Sequence, residues 1–468
     1  MIDTMNTKFH DLFSKRVPQV VHRLTFTLHF DQGLAAGDGS FGNEMNLARN
    51  GNGQLVLRGT SIAGVLRNAW RKAYPQNDDT RWFGSAAGEE GIPSQLIVAD
   101  TIIDIGSIRR THHLRNRHTG AVLDNGLYSI EYAPPKSKAP ITLWLKETEE
   151  NKGNGEAFIK ELAGLLKRGL IFGGNSNRGV GLSWAGEFQY DVYDLSNRDK
   201  YATYLDDHYA WRKEGTIPRQ TSSFETGQLS QDKDLIVRFT LVIPRGQDLL
   251  VAQDNSEDTD ATPHRVHGAD GKDYWLIPGS TLLGLFRSWV TRLAARENPD
   301  NANFVADSAV RYSKDGPPKG DELGWLFNKK LDWKEIDKKY PVDSLFGSLH
   351  KAGRVHFTDS LCPVSKDEKE LQRRMHVAID AISGGAIEHL LFDNYVLTQG
   401  EFPVTMLIDD PREEEARWIA QTLRALDLGL LRVGSSKAAG RLELAATPQA
   451  SGPQANFFDS IQPSRKRK

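Results

Sequence analysis

The chain has 468 residues, 39% of them hydrophobic, with 59 basic against 61 acidic side chains and a formal net charge of −2. That length predicts two or three domains, and no apolar run is long enough to span a bilayer. The near-neutral balance is unlike a strongly basic nucleic-acid-binding domain, so any polyanion contact must come from local basic patches. Residues 1–19 are polar and mixed in charge, unlike a secretory signal. Cys362 is the single cysteine, which excludes an internal disulfide and a cysteine-based zinc site and suits a reducing cytoplasm.

Leu24, Phe26, Leu28 and Phe30 alternate with Arg23, Thr25, Thr27 and His29, the period of a half-buried strand. The polar, glycine-rich stretch 31–53 follows and holds Asp38 and Glu44. A long loop between strand and helix is either solvated surface or a functional segment. Next comes Gly-Thr-Ser-Ile-Ala-Gly-Val-Leu-Arg at 59–67: a glycine turn, hydroxyls suited to capping, then Ile62, Val65, Leu66 and Ala69 at helical spacing, with Arg67 beside them. Trp82-Phe83-Gly84-Ser85 and a strand at 95–103 precede the most basic part of the chain. Residues 105–120 hold Arg109, Arg110, Arg115 and Arg117 with His112, His113 and His118, and no carboxylate. Arginine's planar, always-charged fork suits phosphate, so this stretch reads as RNA or DNA contact in preference to an ordinary charged loop. The histidines lack the cysteine or carboxylate company of a metal site. Asn125-Gly126 predicts a hairpin turn with 127–132 as its second arm. An amphipathic helix over 157–168 then runs into a glycine-rich loop, 169–181. There Gly173, Gly174, Ser176, Asn177 and Arg178 let backbone N–H groups approach an anion. It is neither a Walker loop nor a dinucleotide fingerprint, since it lacks Gly-Lys-Ser/Thr and follows a helix.

Residues 191–234 are polar and read as the inter-domain connection, after which the landmarks recur. Leu235, Val237, Phe239 and Leu241 share one strand face, and an acidic loop over 253–273 holds Asp258 and Asp260. Gly-Ser-Thr-Leu-Leu-Gly-Leu-Phe-Arg at 279–287 repeats the first helix motif at a constant offset of 220 residues, with Leu282, Leu285, Phe286 and Trp289 at helical spacing and Arg287 in the place of Arg67. A period that long means two copies of a whole domain. Leu345-Phe346-Gly347-Ser348 echoes residues 82–85, Asp359 echoes Asp100, and 384–392 echoes 120–128. The late glycine loop returns with Gly434, Ser435, Ser436 and Lys437. The second copy carries 43 extra residues, at about 295–340, including Trp325 and Trp333. The expected boundaries are a first domain over 20–190, a connection over 191–234, a second domain over 235–446, and a disordered basic tail over 447–468.

These motifs, in this order and twice over, resemble the RAMP superfamily, and more narrowly two fused backbone subunits of a type III CRISPR effector complex of the III-D kind. The resemblance implies an α+β fold of two tandem ferredoxin-like (RRM-like) domains with long hairpin and loop insertions. It implies binding of guide RNA and single-stranded target RNA beside other effector subunits in the cytoplasm, with no membrane. It also implies cleavage of the target by a loop Asp with a divalent metal, Mg²⁺ or Mn²⁺. Asp260 is the first choice for catalysis and for holding the metal, and Asp258 the second. Glu44 aligns with Asp260 in the first copy, with Asp38 six residues earlier. The RNA-facing set is Arg67, Arg109, Arg110, Arg115, Arg117, Arg178, Arg287 and the two glycine loops. Two other functions compete: a purely structural RNA scaffold, and a guide-precursor nuclease using His112, His113 or His118 as general base.

Overall fold

The computed structural model describes residues 17–464 apart from 40–43, 86–90, 116–121, 150, 215–223, 228, 230–231, 254–258, 303–336, 349–350, 366–369, 381 and 435–438. In the first half, strand β1 (Val20–Phe30) turns Leu24, Phe26, Leu28 and Phe30 into the core, as its period of two requires. Helix α1 (Gly59–Ala73) buries Ile62, Leu66, Ala69 and Trp70 on one face. Strand β2 (Leu96–Val98) follows, then a long hairpin of β3 (Ile108–Arg115) and β4 (Val122–Tyr132). Strand β5 (Ser137–Glu147), helix α2 (Gly155–Arg168) and strand β6 (Leu182–Asp194) complete the half. The antiparallel sheet runs β2-β5-β1-β6, and α1 and α2 share one apolar core with it. This is the βαββαβ order of a ferredoxin-like fold, with the hairpin inserted between its second and third strands.

Helix α3 (Arg198–Glu214) leads to the second half. There β7 (Asp234–Val242), α4 (Gly279–Glu297) and β8 (Val355–Phe357) are followed by a second hairpin, β9 (Leu371–Ile379) with β10 (Ala386–Leu397). Strand β11 (Glu401–Asp409), helix α5 (Glu413–Asp427) and strand β12 (Glu443–Leu444) close it. The sheet order β8-β11-β7-β12 repeats the first. The α+β class and the duplicated ferredoxin-like order expected from the sequence are therefore both present.

Four local expectations change. The hydroxyls after Gly59 and Gly279 do not cap their helices, since neither helix start has a side-chain cap. Carboxylates from the link between two distant short strands take that role: Gly59 N–H donates to Asp100 Oδ1 at 2.7 Å and Gly279 N–H to Asp359 Oδ1 at 2.8 Å. Glycine is needed at both starts because a Cβ would lie 2.0 Å from Val98 O or 2.3 Å from Phe357 O. Asn125-Gly126 is not a turn; both residues lie inside β4, whose partner is the basic strand β3. The connection over 191–234 is not bare linker. Helix α3 packs Trp211 against Trp144 with ring centroids 4.4 Å apart, and Asp207 accepts the Tyr193 hydroxyl at 2.8 Å. Nor is the tail disordered through residue 464: Gln449–Ser451 pairs with β7, and Phe458 is 0% exposed in the second core. Trp325, Trp333 and most of the 295–340 insertion lie outside the described residues, as do the last four basic residues.

Candidate nucleic-acid interface

In each half, the loop between first strand and first helix is sewn to the second arm of the hairpin. In the first half Glu131, buried on β4, accepts the Leu47 N–H at 2.8 Å and also binds Arg49 and Ser107. Burial pushes the Glu131 carboxyl up, but those hydrogen bonds overcome it and hold the group below its ordinary value. The short strand Glu44–Met45 thereby runs parallel to β4, with Glu44 opposite Ser129. Arg109 reaches the exposed Glu44 carboxylate at 3.4 Å and donates to Asn46 Oδ1 at 3.0 Å.

The second half repeats this seam. Ala261 bridges Asn394 in parallel, Asp260 N–H donates to Asp393 O at 3.2 Å, and Asp260 Oδ2 accepts the Asp393 N–H at 2.9 Å. Bridges at Leu34–Ala133 and Leu249–Leu397 fix the correspondence of the two hairpins at an offset of 264 residues. Ser129 then corresponds to Asp393, so Glu44 and Asp260 occupy the same place in their halves. Asp38 is exposed on the same loop, with its N–H donating to Asn46 O at 3.1 Å, but stands away from that place. Asp258 lies outside the described residues.

The same offset exposes residues that the sequence reading missed. Arg109, Arg110 and His112 on β3 correspond to Arg373, Arg374 and His376 on β9. The repeated Arg-Arg-x-His was the available signal. In each hairpin the histidine stacks on an aromatic of the other arm, His112 on Tyr128 at 5.5 Å and His376 on Phe392 at 5.1 Å. Alternation in a strand sends neighbouring arginines to opposite faces. Arg109 pairs with Glu44 and Arg373 with Asp393, and both guanidinium groups nevertheless stay exposed. Arg374 is held by Asp248 through two contacts of 2.9 and 3.1 Å. Arg110 is buried in an ion pair with Asp359 of the other half, so it is not the surface contact expected of it.

Other candidates also turn inward. Arg67 binds Asp79 and donates to Gly84 O at 2.9 Å, while Arg287 binds Asp343 at 2.6 Å and Gly347 O at 2.8 Å. Both arginines pin the turn after Phe83 or Phe346, which accounts for their recurrence without RNA. The glycine loops likewise serve close packing. A Cβ at Gly173 would meet Ala35 O at 2.4 Å, and one at Gly434 would meet Leu250 O at 2.1 Å. The Gly174 N–H already donates to Ala35 O at 2.7 Å. Ser176, Asn177 and Arg178 form a 3-10 turn, with Arg178 stacked 4.9 Å above the Tyr128 ring. Arg115 ends β3, whereas Arg117, His118, Ser435, Ser436 and Lys437 lie outside the described residues. Gly64 and Gly284 differ from the other repeated glycines. Both are exposed on their helices, and a Cβ at either would meet nothing within 4 Å.

Among the described residues no three His, Cys, Asp or Glu side chains converge on one point. A divalent ion at Asp260 would therefore need substrate phosphate oxygens beside one or two carboxylates, the manner in which Mg²⁺ is commonly held. His112 is a poor base. Burial, with the charges of Arg178 and Arg110, pushes its imidazole down to about 3, and its Nε2 lies 2.8 Å from the Tyr132 hydroxyl.

Two ferredoxin-like halves, each with a hairpin and a carboxylate loop seamed together, define a tandem duplication of one α+β domain. The chain belongs to the RAMP superfamily, whose family model matches residues 27–182 and 261–443. Among solved structures it is similar to chains of a type III-B Cmr-beta complex. One is in the apo state (14% identity, 35% of this chain and 96% of that one, TM-score 0.30). The other is bound to cognate target RNA (14% identity, 36% and 96%, TM-score 0.30). No curated protein matches the chain. Among the described residues no helix is long and apolar enough to cross a membrane.

Proposed function

We propose that the chain is a backbone subunit of a type III CRISPR effector complex, which holds guide RNA along both halves and cleaves complementary target RNA at the second. The observation that carries this reading is the doubled seam, in which an exposed carboxylate abuts an arginine-bearing hairpin, Glu44 directly at Arg109 and Asp260 at the backbone of Asp393, the residue that pairs with Arg373. In this reading the exposed guanidinium groups of Arg109 and Arg373 take phosphate oxygens and orient the backbone. The bare helix faces at Gly64 and Gly284 let that backbone pass close. Asp260 is held in place by the Asp393 N–H, and among the described residues its second oxygen has no partner. That oxygen is the one aimed at the reacting phosphate. A bound divalent metal would supply polarisation of the phosphoryl oxygen. Glu44 stands at the same place, but its longer side chain alters reach, and a misplacement of about 1 Å costs about 100-fold in rate.

The scaffold reading predicts that no target is cut. The guide-precursor nuclease gains no support from His112, which is held neutral beneath Arg178 and Arg110. The test is to purify the chain with its co-expressed neighbours, sequence the bound RNA, and add complementary RNA with Mg²⁺ or with chelator. Cleavage with Mg²⁺ that stops in chelator is expected. Cleavage that persists in chelator would favour histidine acid–base chemistry, and none at all would leave a scaffold.

A further inference from the structure

One face of the first hairpin is covered by the second half. Arg110 meets Asp359, which is 0% exposed, and Asp359 N–H donates to Gly179 O at 2.7 Å. Beside this pair, Ile108 packs on Val266, Tyr274, Leu276 and Leu361. Asp359 thus does two things at once: it caps α4 through Gly279 and receives an arginine from a neighbouring domain's hairpin.

The first half has the same socket without an occupant. Asp100 caps α1 through Gly59 as Asp359 caps α4. The strand pair Leu55–Leu57 and Thr101–Ile103 matches Asp273–Ile277 and Ser360–Pro363, which places Val56 with Leu276 and Ile102 with Leu361. Leu361 is 8% exposed and Ile102 is 43% exposed. Among the described residues Asp100 has no cationic partner. An apolar strand pair beside a lone carboxylate is thus covered in one copy and bare in the other.

We propose, resting on the reading above as an effector subunit, that the Asp100–Ile102 surface docks the arginine-bearing β-hairpin of another RAMP-fold chain. The geometry of the internal junction supplies the occupant's chemistry: an arginine for Asp100 and an aliphatic residue two positions before it for Ile102. A second copy of this chain does not fit. On its free hairpin Arg374 is already held by Asp248, where the first half has Gly33, and Gln372 stands in place of Ile108.

The experiment places a photo-crosslinking benzoylphenylalanine at position 102 of the chain within the assembled complex and sequences the crosslinked product. Ile102→Glu is examined in parallel by native mass spectrometry. The expected product is a peptide from another subunit's hairpin that contains an arginine. Ile102→Glu should lower that subunit's occupancy at least tenfold while the guide RNA and the melting temperature of the isolated chain are kept. Crosslinks to RNA, crosslinks to residues 371–397 of a second copy, or unchanged occupancy in Ile102→Glu would each overturn the proposal and leave the RNA-binding reading standing. A wild-type preparation lacking both RNA and other subunits would overturn that reading, and the proposal with it.

Discussion

At Gly64 and Gly284 the backbone forgoes helix stability for no internal contact. Glycine in a helix interior costs about 0.5–1 kcal/mol relative to alanine, and a Cβ at either position would meet nothing within 4 Å. Gly64→Ala should therefore raise the stability of the isolated chain by about that amount in a denaturant titration, yet weaken RNA retention by the complex. A stability gain with unchanged RNA retention would remove this helix face from the interface. Glycines 173 and 434 behave differently. Their φ angles of +78° and +110°, with carbonyl oxygens against the Cβ position, make substitution there a test of folding and not of RNA contact.

The hairpins are where sequence and structure inform each other most. The strand alternation of β1 and β7, the helical spacing of α1 and α4 and the order of landmarks were all legible, because backbone periodicity dictates them. The first arm of each hairpin was not. Arg109 and Arg110 read alike in sequence, but the pleat sends one to solvent and the other under Asp359. Asn125-Gly126 carried a turn signal that the long register of β3 with β4 overrides. Helix α3 was hidden by its polarity, since aromatic residues anchor it and not an aliphatic stripe. Arg109→Ala and Arg373→Ala should each reduce the log–log salt slope of RNA binding by about 0.7–0.9, the counterion release of one phosphate contact. Arg110→Ala should instead destabilise the chain by about 3–5 kcal/mol, because it strands a buried carboxylate. Equal slopes for all three variants would show that the pleat does not sort them.

Across the whole molecule, the two halves are joined through polar groups sensitive to acid. His112 at the junction is pushed down to about 3 by burial and then by Arg178 and Arg110, and His264 to about 4 by burial and then by Arg110. Both are therefore neutral in the folded chain, while in the unfolded chain they bind protons below their ordinary value of 6.5. Stability should fall as pH drops from 7 to 5, by at most about 2 kcal/mol per histidine. His264→Gln should flatten that dependence in melts collected across this range, whereas an unchanged slope would place the acid sensitivity elsewhere.

The duplication also sets what the chemistry should look like. Glu44 and Asp260 share one structural place, yet only the second offers the shorter carboxylate held by a backbone N–H at 2.9 Å. The most direct measurement is a fragment map of complementary target RNA cut by complexes carrying wild type, Asp260→Ala, Glu44→Ala or Asp38→Ala. The expected result is loss of one fragment in Asp260→Ala with RNA binding intact, and little change from either substitution in the first half. An unaltered fragment pattern in Asp260→Ala would contradict the assignment of the second half as the cleaving one.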